Sequence, residues 1–282
     1  MSRSENYQNE PHFTNFLQLL MAMVQAQAGM PIEPGLEWQN DRQTLAKKFA
    51  FHLHTIKTLR SGSMLEIDGA CELFIDHGSI KVLARSVLEN YIVFAFIFGD
   101  QSTEVSRFRH MTWRLAGLMD RQRRIVITTE NKQKLLSEKA TLEALRHEIE
   151  ANPLFGDLAA NERKALVKKG DWSAGRQWHE LAADVGLHPL YFRNVYGYLC
   201  DYSHSSYAAA LQVGEARSLL DQRVLTDGMC GMLNMVMAHF IVVYARLFES
   251  AGRLFEASSV KPWVERWCFT PADLDRVYGA PR

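Results

Sequence analysis

The chain is poor in the features that most directly announce a chemistry. Its four cysteines, Cys71, Cys200, Cys230 and Cys268, lie far apart with no C-x-x-C pair. That argues against a zinc knuckle or a disulfide framework and leaves reduced, buried thiols. Neither sign of charge is in excess: Lys plus Arg and Asp plus Glu both number 32 in 282 residues, so the global balance is not that of a protein committed to coating nucleic acid. There is no His-Glu-x-x-His, no glycine-rich phosphate loop and no G-x-S-x-G elbow. His52 and His54 are two apart and point to different sides of a helix. Neither a metal nor a cofactor is expected. Strand signals are scarce, since almost no stretch alternates apolar and polar residues beside an Asn-Gly or Asp-Gly turn. The first residues, MSRSENYQNEPHF, hold no apolar core segment, so the expectation is no secretory signal and a cytoplasmic location.

What the sequence has is helical periodicity, on a chain that is 47% hydrophobic and long enough for a large core. Spacing predicts helices near 13–28, 41–60, 79–99, 103–123, 129–151, 159–168, 175–185, 189–204 and 218–250, with weaker ones at 262–267 and 271–278. Breaks fall at GMPIEPG (29–35), SGSMLEIDGA (61–70), Asn152-Pro153 and Lys168–Asp171, each built from Gly, Pro, Asn or Asp. Long helices with short links imply an all-α, multi-helix bundle in a single domain. Its parts are an N-terminal helical segment (1–40), a bundle core (41–250) and a C-terminal extension (251–282). Met229 to Phe248, MCGMLNMVMAHFIVVYARLF, is close to membrane-spanning length. Asn234, His239 and Arg246 interrupt it, which favours the centre of a bundle over a membrane.

Two helices carry a second ordered face. From Ser79, expected as the N-cap, Ile80, Leu83, Ala84, Val87, Tyr91, Phe94, Ala95 and Phe98 form an apolar stripe. Arg85, Glu89, Ile92 and Phe96 form another line, so the helix is expected to pack on both sides. Further on, Tyr191, Val195, Tyr198 and Tyr202 make one stripe and Arg193, Gly197, Cys200 and His204 a second. Gly197 and Cys200 are small, which predicts close approach by a neighbouring helix, with His204 at the end of that seam.

SIKVLARSVLENYIVFAFIF (79–98) and LCDYSHSS (199–206) together resemble an uncharacterised family of bacterial all-helical proteins. That family has an R-x-x-x-E helix and a Leu-Ser-x-Tyr-x-His-x-Ser helix end, and it is distantly similar to HEPN-type bundles, many of which act on RNA or serve in toxin and defence systems. The resemblance places Arg85, Glu89, Tyr202 and His204 at its motif positions, while Cys200 stands where the motif has serine. It implies a stress- or defence-associated component. It supplies no substrate. HEPN-type nucleases carry an Arg followed four to six residues later by a His, an order and spacing this chain lacks. Arg193 and His204 are eleven apart, about 16 Å along one helix, so a shared site needs Arg85 from another helix.

For His204 the bland reading is a charged ring complementing a helix C-terminus; the sharper one is an acid, base or ligand. In an enzyme, His204 would be the acid/base, Arg85 the anion binder and Glu89 the orienting carboxylate. Tyr202 and Arg193 would help bind substrate. RFRHMTWRLAGLMDRQRR (107–124) holds six arginines and one acid. Arg107, Arg114 and Arg121 recur every seven residues. They form either a solvated face meeting acids of a neighbouring helix or a docking surface for RNA, a phosphate-bearing ligand or an acidic protein. The competing class is a non-catalytic interaction or scaffold module in which the same residues lock helix packing. A homo-oligomer is compatible with either.

Overall fold

The structure, a computed structural model, describes residues 3–278 and is all-α, with 75% of the chain helical. The helices run in order α1 (Arg3–Ala26), α2 (Asn40–Arg60), α3 (His77–Phe98), α4 (Thr103–Gln122), α5 (Thr129–Glu150), α6 (Pro153–Gly156), α7 (Ala160–Lys164), α8 (Trp178–Asp184), α9 (Pro189–Ser203), α10 (Tyr207–Glu215), α11 (Leu219–Leu247), α12 (Glu249–Glu256), α13 (Lys261–Trp267) and α14 (Pro271–Tyr278). Strands β1 (Ser63–Ile67) and β2 (Ala70–Phe74) pair between α2 and α3.

Several elements differ from the spacing-based expectation. The segment 61–70 is not a bare break, because it opens an antiparallel hairpin in register Ser63 to Phe74 and Ile67 to Ala70. Asp68 and Gly69 form its two-residue turn with φ of 51° and 82°, the positive pair that an Asp-Gly hairpin turn supplies. Asp76 does the capping at the start of α3, its Oδ1 accepting from the Ser79 N–H at 2.9 Å, in place of the Ser79 cap that was expected. The stretch after His204 becomes a short helix, α10. The long apolar helix stops at Leu247, because Phe248 turns extended (φ −137°, ψ 121°) before α12 begins. There Gly252 lets α12 close on α11: a Cβ at that position would stand 2.9 Å from the Ala245 carbonyl oxygen.

The chain separates into two compact units. The first comprises residues 1–95 and 185–282. Its core is aromatic: Phe240 of α11 stacks on Phe49 of α2 at 4.1 Å and on Phe94 of α3 at 4.5 Å. All three are fully buried, as are Phe13, Phe16 and Leu20 of α1, the helix packed along α11. Among the described residues α11 is the one helix long and apolar enough to cross a membrane, and 67% of its apolar window is buried inside the protein. His239, one of its polar interruptions, meets the Phe269 carbonyl at 3.1 Å. The second unit comprises residues 96–184. It packs Phe108, Met111 and Leu115 of α4 against Leu142, Leu145 and Ile149 of α5, closed by Leu166 and Val167.

Candidate functional site

The site lies in the first unit, where α9 runs beside α3. Placement of α9 starts at His188, whose Nδ1 accepts from the Tyr191 N–H at 3.2 Å and whose Nε2 meets Asp275 of α14 at 3.2 Å. Pro189 follows at the first helical position, where its missing N–H costs nothing. The other end answers the polar stop SHSS. His204 is the C-cap, its backbone N–H bonding the Cys200 carbonyl at 3.0 Å. Ser205 turns left-handed (φ 52°), and the Ser206 N–H reaches back to the Asp201 carbonyl at 2.9 Å. This is the six-to-one bond of a Schellman ending. Ser206 then caps α10 through its hydroxyl.

With the backbone so ended, the His204 ring is exposed, and its Nε2 lies 3.4 Å from Nη1 of Arg85. The expected proximity of His204 to the Arg85–Glu89 line is therefore found, with one change of partner. His204 meets the guanidinium, not the carboxylate. To accept from Arg85 its Nε2 must be unprotonated. Arg85 Nε donates to Glu89 Oε1 at 2.9 Å, and Nη2 donates to the Tyr196 hydroxyl at 3.1 Å. Tyr196 in turn donates to the same Glu89 oxygen at 2.8 Å. Burial opposes the charge on Arg85, but the bonds to Tyr196 and Glu89 outweigh it and raise its pKa. Burial first, then the Glu89 carboxylate, raises that of Tyr196. Side-chain exposures of 22% for Arg85 and 28% for Glu89 leave the pair half open.

One turn back along α3 the seam closes. Lys81 is fully buried without a carboxylate among its hydrogen-bond partners. Its Nζ donates to the Tyr202 hydroxyl at 2.9 Å and to His77 Nδ1 at 3.1 Å, and it sits 4.1 Å from the Tyr202 ring centre. Tyr202 and Tyr198 both donate to Gln212 Oε1 of α10, at 2.5 and 3.0 Å. A cation held only by neutral groups is poorly compensated, and burial lowers the Lys81 pKa to about 8. Burial and the neighbouring ammonium lower that of His77, against a smaller pull from Asp76.

His77, Lys81, Arg85 and Glu89 thus form one line, spaced by four, about 6 Å apart along the axis. The sequence reading named its second half and passed over Lys81, His77, Tyr196 and Gln212. The i, i+4 repeat was the available signal. Tyr202 is buried in the closed half. Arg193 is exposed on α9 and is not among the hydrogen-bond partners of Arg85, Glu89 or His204. Gly197 corrects the close-approach expectation, because it is exposed and a Cβ there would meet nothing within 4 Å.

In the second unit, two of the three periodic arginines meet acids of α5: Arg107 bonds Glu148 at 3.0 Å and Arg121 bonds Glu138 at 2.7 Å. Arg114 is exposed. Among the described residues no group of three or more His, Cys, Asp or Glu is placed to hold a metal ion.

Comparison with known proteins adds a family and nothing finer. No curated protein and no solved structure matches the chain. Residues 49–218, more than half of its length and including the α3–α9 seam, match a family model described as a family of unknown function, DUF5677. The chain belongs to that family.

Proposed function

We propose that the open half of the α3–α9 seam binds a phosphate-bearing ligand, with Arg85 as the anion contact, Glu89 and Tyr196 as its supports and His204 as the acid/base. The observation that carries this reading is the 3.4 Å approach of the Arg85 guanidinium to the exposed His204 ring. Glu89 and Tyr196 fix Nε and Nη2, so the planar fork is oriented before any ligand arrives. Preorganised guanidinium is the usual choice for phosphate oxygens. Lys81 adds a second positive charge one turn away, and among the described residues Glu89 is the acid bonded in the cluster. An RNA phosphodiester is the first ligand to try, and a bacterial stress or defence role is the setting such an activity would serve.

A second reading has its own observation. The closed half, with Lys81 at 0% exposure, cannot receive a ligand and locks α3 to α9 and α10. If the open half only extends that lock, the protein is a scaffold or interaction module. Titration of short single-stranded RNA and of inorganic pyrophosphate into wild type, Arg85→Gln and His204→Ala separates the two. Arg85→Gln should weaken binding tenfold or more while the fold survives. His204→Ala should keep binding and lose any cleavage. Equal affinity in wild type and Arg85→Gln, or no binding by wild type at low salt, would leave the scaffold reading.

A further inference from the structure

The second unit carries a groove that the seam does not explain. It lies between α4 and α5, has a volume of about 420 Å³, and falls within the size range of small-molecule sites, about 300–1,000 Å³. Met119 and Leu142 give it apolar surface, continuous with the core of this unit. Arg123, Lys139 and Arg146 bring three cations to its lining against one carboxylate, Glu143. Two of the cations are tethered. Arg123 bonds Asp120 at 2.9 Å and the Lys169 carbonyl at 2.7 Å, and Arg146 holds both Glu143 oxygens through Nη1 at 2.8 and 2.9 Å. Glu138, the residue before Lys139, bonds Arg121 through Oε1, and its Oε2 is buried with no hydrogen-bond partner among the described residues.

One atom asks for an acceptor. The Nε–H of Arg146 is buried and has no hydrogen-bond partner among the described residues. Native structures rarely leave a buried donor in that condition, and the usual remedy is an ordered water. An oxyanion beside Arg146, with its body over Met119 and Leu142, would meet both the charge and the apolar lining.

We infer that this groove binds a small amphipathic anion, an aliphatic chain of moderate length ending in a carboxylate or monophosphate. The end of the arginine-rich segment then acquires a role: Arg107 and Arg121 tie α4 to α5, and Arg123 faces the ligand. The inference is independent of the α3–α9 seam, whose residues belong to the other unit.

The probes are octanoate and octyl phosphate, titrated calorimetrically into the full chain, with 1-octanol lacking the head group and acetate and inorganic phosphate lacking the chain. Saturable binding of at least one amphipathic anion is expected, at least tenfold tighter than either control class. The stronger of the two identifies the head group. Arg146→Gln should weaken it tenfold or more. Should that variant fail to fold, Arg123→Glu with Lys139→Glu, both at exposed positions, carries the same expectation. Arg85→Gln should leave this binding unchanged, which keeps the outcome separate from that of the seam. Absence of saturable binding by both anions, octanol binding as well as octanoate, or full affinity in the folded variants would each overturn the inference.

Discussion

Arginines are used in two ways in the two units. In the second, Arg107 and Arg121 meet the carboxylates of Glu148 and Glu138 on the adjacent helix, so each guanidinium has found an anion. In the first, Arg85 also has its carboxylate, but it shares that oxygen with Tyr196 and turns another nitrogen to an imidazole, which carries no negative charge. One turn away, Lys81 has no carboxylate at all among its hydrogen-bond partners. Acids answer the cations of one unit, and neutral groups share that task in the other.

The largest test of this contrast is Lys81. Its folded pKa of about 8 lies below the ordinary 10.5, so between those pH values the unfolded chain binds more protons than the folded one. Stability should therefore rise with pH across that window and lack this gain below pH 8. At about 1.4 kcal/mol per pH unit the gain is about 3 kcal/mol. Urea unfolding of wild type and Lys81→Met at both ends of the window isolates it, since other titrating groups are common to the two proteins. Parallel pH dependences would mean that the Lys81 ammonium is compensated after all.

Smaller effects follow on the half-open pair. Glu89→Ala removes an acceptor used by both Arg85 and Tyr196 and should cost about 2 kcal/mol, more than a surface ion pair is worth. In the second unit, Arg121→Ala strands Glu138, whose side chain is only 15% exposed, and should cost about 1 kcal/mol. Arg107→Ala breaks a pair exposed at both ends and should cost about 0.5 kcal/mol or less. The difference to be read from thermal melts is the ranking Glu89, Arg121, Arg107. A reversed order would show that the acids of α5, not the seam, hold the more consequential arginines.

Much of this was legible beforehand. The helices longer than about 12 residues were visible because their apolar stripes are long and regular, and the meeting of Arg85 with His204 followed from two helices having second ordered faces. Lys81 was not legible. A lysine inside SIKVLAR reads as an ordinary surface residue, and the rings of Tyr198 and Tyr202 set against its ammonium come from 117 residues and more downstream. The hairpin was available in Asp68-Gly69 and was hidden by short strands that are mostly exposed on both faces, so their alternation is weak. Tyr196 fell between the two stripes drawn on α9. Which residue bridges two helices depends on their rotation about each other, and periodicity within one helix does not carry it.

His204 gives the smallest stability effect and the sharpest functional one. If its purpose were to close α9, removing the ring should cost helix stability. The closing bonds, however, come from backbone: its own N–H to Cys200 and the Ser206 N–H to Asp201. The ring is exposed and touches Arg85 at a distance near the limit of a hydrogen bond, so His204→Ala should change unfolding free energy by only a few tenths of a kcal/mol, as do most surface substitutions. Loss of the ring leaves Arg85 still fixed by Glu89 and Tyr196, so anion binding should survive within about threefold, a difference under 1 kcal/mol. Any hydrolysis by the wild type should fall by about 10² or more, the usual worth of a positioned acid/base. His204→Gln is the discriminating companion, because it restores a hydrogen-bonding partner for Arg85 without an imidazole to carry the proton. A Gln variant that recovers activity would reduce His204 to a positioning contact, while one that stays inactive with unchanged melting and binding would assign it the proton.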